Sequence, residues 1–336
     1  MKVDINNTEV EVREVEKSTN PMYNKVPEEP KYIISADKLL DNKYEEIPYL
    51  WKPFFQKVGL VGLVGGSDTG KSTLLREFAM ALVSGEKDYL GFDLKPEHKS
   101  VLYLSTEDDE YAISSLIKKQ NIEGKESSDY KNFNYIFDTY DFKQRLEEEL
   151  QRIRYDCIII DAFSDIFYKD INRVNDIRSF LQIFNNLANK HKLLVIILHH
   201  TGKGAESNKP SKNNILGSQG FEAKMRLVAE LRIDPNDESL RHLCITKGNY
   251  LPIEQKEKSY VLTFEDLKFT NTGLRVVLED IYVKEDSDEK REMKAHAIQL
   301  RGQGLSVRKV VEKMIEDGYV VSIGTIQKWT KDTYET

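Results

Sequence analysis

The sequence predicts an α/β protein: a mostly parallel sheet with helices on both faces, antiparallel strands at one edge, and a small all-α unit at the C-terminus. Three observations carry this. The runs KVGLVGLVG, SVLYLS, YDCIIIDAF and LLVIILHH are apolar throughout rather than alternating, as strands buried on both faces must be. Amphipathic stretches such as KSTLLREFAMALV and VNDIRSFLQIFNNLANKH separate them, which gives parallel neighbours their return crossing. Beyond residue 290 only helical periodicity remains.

Taken in order, residues 1–30 mix charges with Pro21, Pro27 and Pro30 and read as a flexible arm. Residues 31–278 form the α/β domain. Its later part changes character: after the polar stretch TGKGAESNKPSKNN come a short GSQGFEAK segment and four closely spaced strands, MRLVAELRI, RHLCITKG, SYVLTF and LRVVLED. Such short connections suit antiparallel pairing. VKEDSDEK lies in a charged linker over 279–289, and residues 290–336 are helical.

Composition bounds the function. Hydrophobic residues are 40% and charged residues 31% of 336, values of a globular protein with a sizeable core. No apolar run reaches the roughly 18 residues of a membrane span, and the N-terminus has no signal core, so a cytoplasmic protein without membrane contact is expected. The net charge of -7 excludes a general attraction to nucleic acid. Residues 290–332 nevertheless carry nine Lys or Arg against five Asp or Glu, a local reversal of sign. Cys157 and Cys244 lie in strands without metal-ligand spacing and are expected as core residues.

The stretch LVGGSDTGKST, between a strand and a helix, holds Gly65, Gly70, Lys71 and Ser72 in the G-x-x-x-x-G-K-[ST] spacing. Glycines let successive N–H groups turn toward phosphate oxygens, and the following helix points its positive end at them. Gly65, Gly66, Ser67, Asp68, Thr69, Gly70, Lys71, Ser72 and Thr73 are therefore the expected cradle for ATP. Lys71 would meet the β and γ phosphates, and Ser72 would offer its hydroxyl to Mg²⁺. Asp161, ending YDCIIIDAF, is the second expected metal anchor, with an N-cap role as the alternative. Glu107 in STEDD, the first carboxylate past its strand, is the expected general base; Asp108 and Asp109 would open the next helix. In LHH, neighbouring side chains point to opposite faces and chelate one ion poorly, so His200 is expected as a polar γ-phosphate sensor.

This ordered set resembles the RecA-like ATPases, more narrowly the plasmid RepA type of hexameric replicative helicase and the related AAA_25 family. The resemblance runs over about residues 32–265, from ISADKLL through GSQG to ITKGNY. It implies a catalytic role for Glu107 and a sensor role for His200. It also implies a homo-oligomeric ring in which Arg226 and Lys247 reach a neighbour's nucleotide; edge-strand solubility charges are the alternative for both. Asn249 stands where DnaB-type helicases have an arginine, and RepA-like sequences also carry Asn there. Lys203, Lys209 and Lys212 lie in the loop that such rings turn to a central channel, where they would grip a single strand's phosphates unless the loop is merely solvated.

The C-terminal stretch has the rhythm of a three-helix helix-turn-helix unit. Ser306 and Ser322 are expected as caps, with Val307, Val310, Val311, Met314 or Ile315, Ile323, Ile326 and Trp329 inward. Thr325, Gln327 and Lys328 would face DNA. A protein-docking module is the alternative. The expected function is a Mg-ATP-dependent DNA motor, with a regulatory ATPase and a small-molecule P-loop kinase as competing readings.

Overall fold

The structure, a computed structural model, describes residues 33–282 and 288–334, apart from the side chains of Ser218, Lys328 and residues 288–291 and 331–334. The arm expected over residues 1–30 lies outside the described residues. By its internal contacts the chain divides between Ile47 and Pro48. The described part of the first unit holds a one-turn helix, Ala36–Leu40.

The second unit is built on a nine-stranded sheet. Its strands are β1 (Gly59–Gly65), β2 (Val101–Ser105), β3 (Phe133–Ile136), β4 (Cys157–Asp161), β5 (Leu194–His200), β6 (Leu227–Ile233), β7 (Leu240–Gly248), β8 (Lys258–Glu265) and β9 (Lys268–Val277), in the order β9-β8-β7-β6-β1-β5-β4-β2-β3. From β3 to β6 every pairing is parallel; β6 to β9 are antiparallel. The β8–β9 connection turns on Asp266 and Leu267, both at positive φ, as a two-residue hairpin requires. β5 lies between β1, which leads into the glycine-rich loop, and the strand β4 that carries Asp161.

Alternation explains why the central strands are apolar on both faces. Val61 and Leu63 of β1, Ile159 of β4 and Leu194, Ile196 and Leu198 of β5 join one buried cluster with Leu74, Leu75 and Phe78 of helix α1 (Lys71–Val83). Leu60 and Val64, Ile158 and Ile160, and Val195 and Ile197 point the other way. They pack on helices α3 (Phe142–Arg152) and α4 (Val174–His191), which follow α2 (Glu110–Gln120) in the chain. A fully buried Leu or Ile side chain contributes about 1.5–3 kcal/mol, so these two layers dominate the fold's stabilisation. Cys157, in the first of these clusters, and Cys244, on β7, are fully buried free thiols. Ahead of β1, the WKPFF segment adds an aromatic cluster in which Trp51 packs on Phe54, Phe55, Phe78 and Tyr89.

A short helix, α5 (Ser218–Glu222), precedes β6. The loop before it is pinned rather than free. Its Thr201 bridges Ile215, and the buried Arg232 guanidinium donates to the carbonyls of Ala205 and Asn208 and to the Glu230 carboxylate. The same guanidinium reaches the carbonyl of Ile281, which is itself buried.

Three C-terminal helices, α6 (Asp288–Gly302), α7 (Val307–Glu316) and α8 (Ile323–Tyr334), enclose their own core of Ala297, Leu300, Val310, Met314 and Ile326. Ser306 and Ser322 cap α7 and α8 through the N–H groups of Lys309 and Thr325. Of the alternatives Met314 and Ile315, Met314 is the inward residue and Ile315 is exposed. One inward assignment fails: Ile323 is exposed, because the connection supplies Tyr319 and Val321 to the core in its place. Among the described residues no helix is long and apolar enough to cross a membrane.

Candidate active site

The parallel strands β1, β2, β4 and β5 all end on one side of the sheet, and the residues just beyond their tips share one cavity of about 380 Å³. Its wall comprises Ser67, Asp68 and Gly70 to Thr73 from the loop and first turn of α1, Glu107 after β2, Asp161 ending β4, and His200 ending β5. Gly65, Gly66 and Thr69 complete the loop behind them. Gly70 adopts φ +94°, and a Cβ there would meet the Phe269 ring at 2.8 Å, so glycine is required on both counts. Behind the loop, Arg241 donates to the Thr69 carbonyl at 3.1 Å with its guanidinium over Phe264, itself stacked on Phe269.

Lys71 is nearly buried, its ammonium folded back onto the Gly66 carbonyl at 2.6 Å. Burial pulls its pKa below the ordinary lysine value, opposed by Asp161, Glu107 and Asp68. Asp161 is held from two sides. The fully buried Tyr103 donates its hydroxyl to Oδ2 at 2.7 Å, and Ser72 hydrogen-bonds the same carboxylate. Burial nevertheless raises the Asp161 pKa. The peptide after it, Asp161–Ala162, is cis.

Glu107 stands half out of the wall. Burial first, then Asp161 and Asp165, raise its pKa, while Lys71 lowers it. His200 Nε2 lies 4.0 Å from Glu107 Oε1, and burial followed by the Lys71 charge keeps the imidazole below its ordinary pKa. His199 points the opposite way. It is fully buried, its ring packs on Phe163 and Phe221, and its Nε2–H donates to the Leu216 carbonyl at 2.9 Å. Burial pushes it down to about 4, so it is neutral and structural.

Some expectations need correction. Asp109 caps α2, accepting from Ala112 N, but Asp108 does not open the helix. Its carboxylate lies 3.8 Å from the guanidinium of Arg76, a buried cation that also donates to Gln120. Thr325 does not simply face outward, since its N–H and hydroxyl both engage Ser322 in the cap. Gln327 is exposed. The Lys328 side chain lies outside the described residues.

Arg226 and Lys247 stand at the far end of the sheet from the cradle. Leu227 pairs with Val61 near the start of β1, and Lys247 pairs with Val228 across the antiparallel ladder. At about 3.3 Å per residue, Arg226 lies roughly 16 Å from Gly65 along the sheet. Arg226 donates to the Tyr250 hydroxyl, and Lys247 is paired with Glu222. Lys209 pairs with Glu279, Lys212 with Glu222, and Lys203 is exposed. Sequence reasoning missed Tyr103, Arg76, Arg241 and the Phe264–Phe269 hairpin, which reach the site only through long-range folding.

The AAA_25 family model, described as an AAA domain, matches residues 27–206, more than half of the chain. The chain belongs to the AAA_25 family. Membership makes this AAA_25 protein an ATP-binding chain of the ATPase type. Among solved structures it is similar to one described as an ATPase domain, at a TM-score of 0.46 and 16% identity, over 65% of this chain and 86% of that one. No curated protein matches the AAA_25 protein.

Proposed function

We propose that the chain is a Mg-ATP-dependent, DNA-binding ATPase of the RepA-like helicase type, acting as a homo-oligomeric, hexameric ring in replication of a plasmid, phage or mobile element. The observation that carries this reading is the convergence of Lys71, Asp161, Glu107 and His200 from four strand tips on one cavity. A kinase of small molecules would need an acceptor pocket and an arginine-bearing lid; here an acid with a raised pKa faces the cavity instead.

The residues fit Mg²⁺. Ser72 and Asp161 are hard oxygen donors already joined to each other, and no cluster of three or more His, Cys, Asp or Glu among the described residues competes as a metal cage. A magnesium ion usually takes one or two protein oxygens and fills its shell with phosphate and water. When bound it would neutralise charge on the phosphates. The chain's own groups do the rest. Lys71 and the loop amides orient the triphosphate, Tyr103 keeps Asp161 aimed, Glu107 takes a proton from the attacking water, and neutral His200 reads the terminal phosphate. Arg226 and Lys247, remote from their own cradle, act on a neighbour's nucleotide and stabilise charge that grows on the transferred group.

Lys203, Lys209 and Lys212 would meet single-stranded DNA, and α6 to α8 would form a helix-turn-helix docking on duplex through Gln327 and Lys328, with Thr325 at the helix start. The ion pairs of Lys209 and Lys212 favour a second reading, a regulatory ATPase that binds DNA only after a switch and unwinds nothing. Purified protein with Mg-ATP and a forked duplex separates the two. Strand release that stops in the Lys71→Ala variant supports the helicase; ATP hydrolysis without strand release supports the switch; neither activity overturns both.

A further inference from the structure

The GSQG segment mounts a carboxylate between two lysines that the mechanism uses separately. Gly217 adopts φ +63°, and a Cβ there would meet the Ile171 carbonyl at 2.6 Å; at Gly220 a Cβ would come within 2.9 Å of the Ile177 Cβ. These glycines let α5 press against the start of α4. Next in line, Phe221 is fully buried, packing on His199 and Phe163. Glu222 therefore rides on a rigid support. The root of that support is tied to the sensor strand, since His199 donates to the Leu216 carbonyl and Leu216 N donates to the His200 carbonyl.

Lys247 Nζ lies 2.5 Å from the Glu222 carbonyl and 3.1 Å from Oε2. Lys212 Nζ lies 3.3 Å from Oε1 of the same side chain. The two partners differ in access: the Lys247 side chain is 20% exposed, that of Lys212 47%. Burial alone would raise the Glu222 pKa, but the hydrogen bonds and charges of Lys247 and Lys212 outweigh it and hold the acid below its ordinary value. Two ammonium groups on one carboxylate weaken each other's hold, so removing one strengthens the other.

We propose that Glu222 is a positioning residue that fixes Lys247, and that its grip tightens when a nucleic-acid phosphate draws the exposed Lys212 away. This rests on the reading of Lys247 as the cation offered to a neighbouring subunit and of residues 202–214 as the strand-gripping loop. DNA in one place thereby organises catalysis in another, because both lysines answer to one acid.

The test is steady-state ATP turnover of the assembled full-length protein with and without oligothymidylate. Wild-type turnover is expected to rise with the oligonucleotide. Glu222→Gln should lower kcat about tenfold, since small misplacements of a catalytic group cost at least that much, leave nucleotide affinity unchanged and abolish the stimulation. Lys212→Ala should act as permanent DNA, raising turnover without oligonucleotide about two- to fivefold, the scale of one ion pair, and leaving no further stimulation. An Lys212→Ala variant that behaves as wild type, a Glu222→Gln variant that still responds, or a wild type indifferent to the oligonucleotide each overturns the coupling. Lys247→Ala separates this from the underlying reading. Unchanged turnover there removes Lys247 from catalysis altogether; reduced turnover with normal responses at 212 and 222 overturns only the role of Glu222.

Discussion

His200 Nε2 stands 4.0 Å from the Glu107 carboxylate, so the two sides of the cavity are within reach of one water-sized reactant. Each sits there for a different reason: His200 because its strand alternates, sending His199 into the core, and Glu107 because its strand ends two residues earlier. Burial, Asp161 and Asp165 favour the protonated acid at Glu107. Glu107→Gln should therefore keep nucleotide binding and lose roughly 10²–10⁴-fold in turnover. In the wild type, turnover should fall as pH drops and the base is lost, with the midpoint above the ordinary glutamate value. A pH–rate profile of kcat checks this, and full activity in the Gln variant would place the base elsewhere.

Lys71→Ala removes the ammonium group that lines the cradle. Nucleotide affinity should fall by about 100-fold or more, the cost of truncating one partner of a desolvated charge pair. Stabilisation of the fold by Mg-ATP should vanish with it. A fluorescent-nucleotide titration and a thermal melt with and without Mg-ATP measure the two effects.

Subunit mixing tests the remote cations. Chains carrying Lys247→Ala or Arg226→Ala, mixed with chains carrying Glu107→Gln, should recover part of the ATPase rate, because some interfaces then pair an intact base with an intact cation. No recovery at any ratio would mean that neither cation works across an interface.

Glu77 gives a prediction for stability rather than for turnover. Burial pushes its carboxyl up to about 7, against hydrogen bonds from Phe269 N and the Tyr89 hydroxyl. The unfolded chain ionises near 4.5, so between 4.5 and 7 the folded state holds the extra proton. Its contribution is most favourable below 4.5 and is lost as pH rises through that window. Glu77→Gln, which keeps an acceptor, should be more stable than wild type at pH 8 by up to about 3 kcal/mol and nearly equal at pH 4.5. Denaturant unfolding at the two pH values decides it; a difference that does not change with pH would remove the buried acid as its cause.

Gly62→Ala should destabilise the α/β unit by about 1–3 kcal/mol, because the added Cβ would lie 2.8 Å from the Phe221 ring, which is held by His199 and Phe163. A chemical melt measures the loss. A second change, Phe221→Leu, should return part of it.

The strands and the cradle were legible because their signals are local: an unbroken apolar run, then a glycine-rich turn, then a helix. Glu107, Asp161 and His200 could be placed for the same reason, each being a polar residue at the tip of such a run. Tyr103, Arg76 and Arg241 were not legible. They reach the site from the middle of a strand, from the second turn of α1 and from an antiparallel strand far along the chain, and only the tertiary fold sets those distances. The C-terminal helices show a finer limit. Periodicity found all three, but Ile323 lies at the first turn of α8, where Tyr319 and Val321 of the connection compete for the same space, and no helical pattern records that competition.

The roughly 16 Å that separates Arg226 from its own phosphate loop has a biological sense. If those cations are needed, a solitary molecule idles. Fuel consumption then switches on with crowding, rising more steeply than protein concentration, and a cell holding a few stray copies wastes nothing on them.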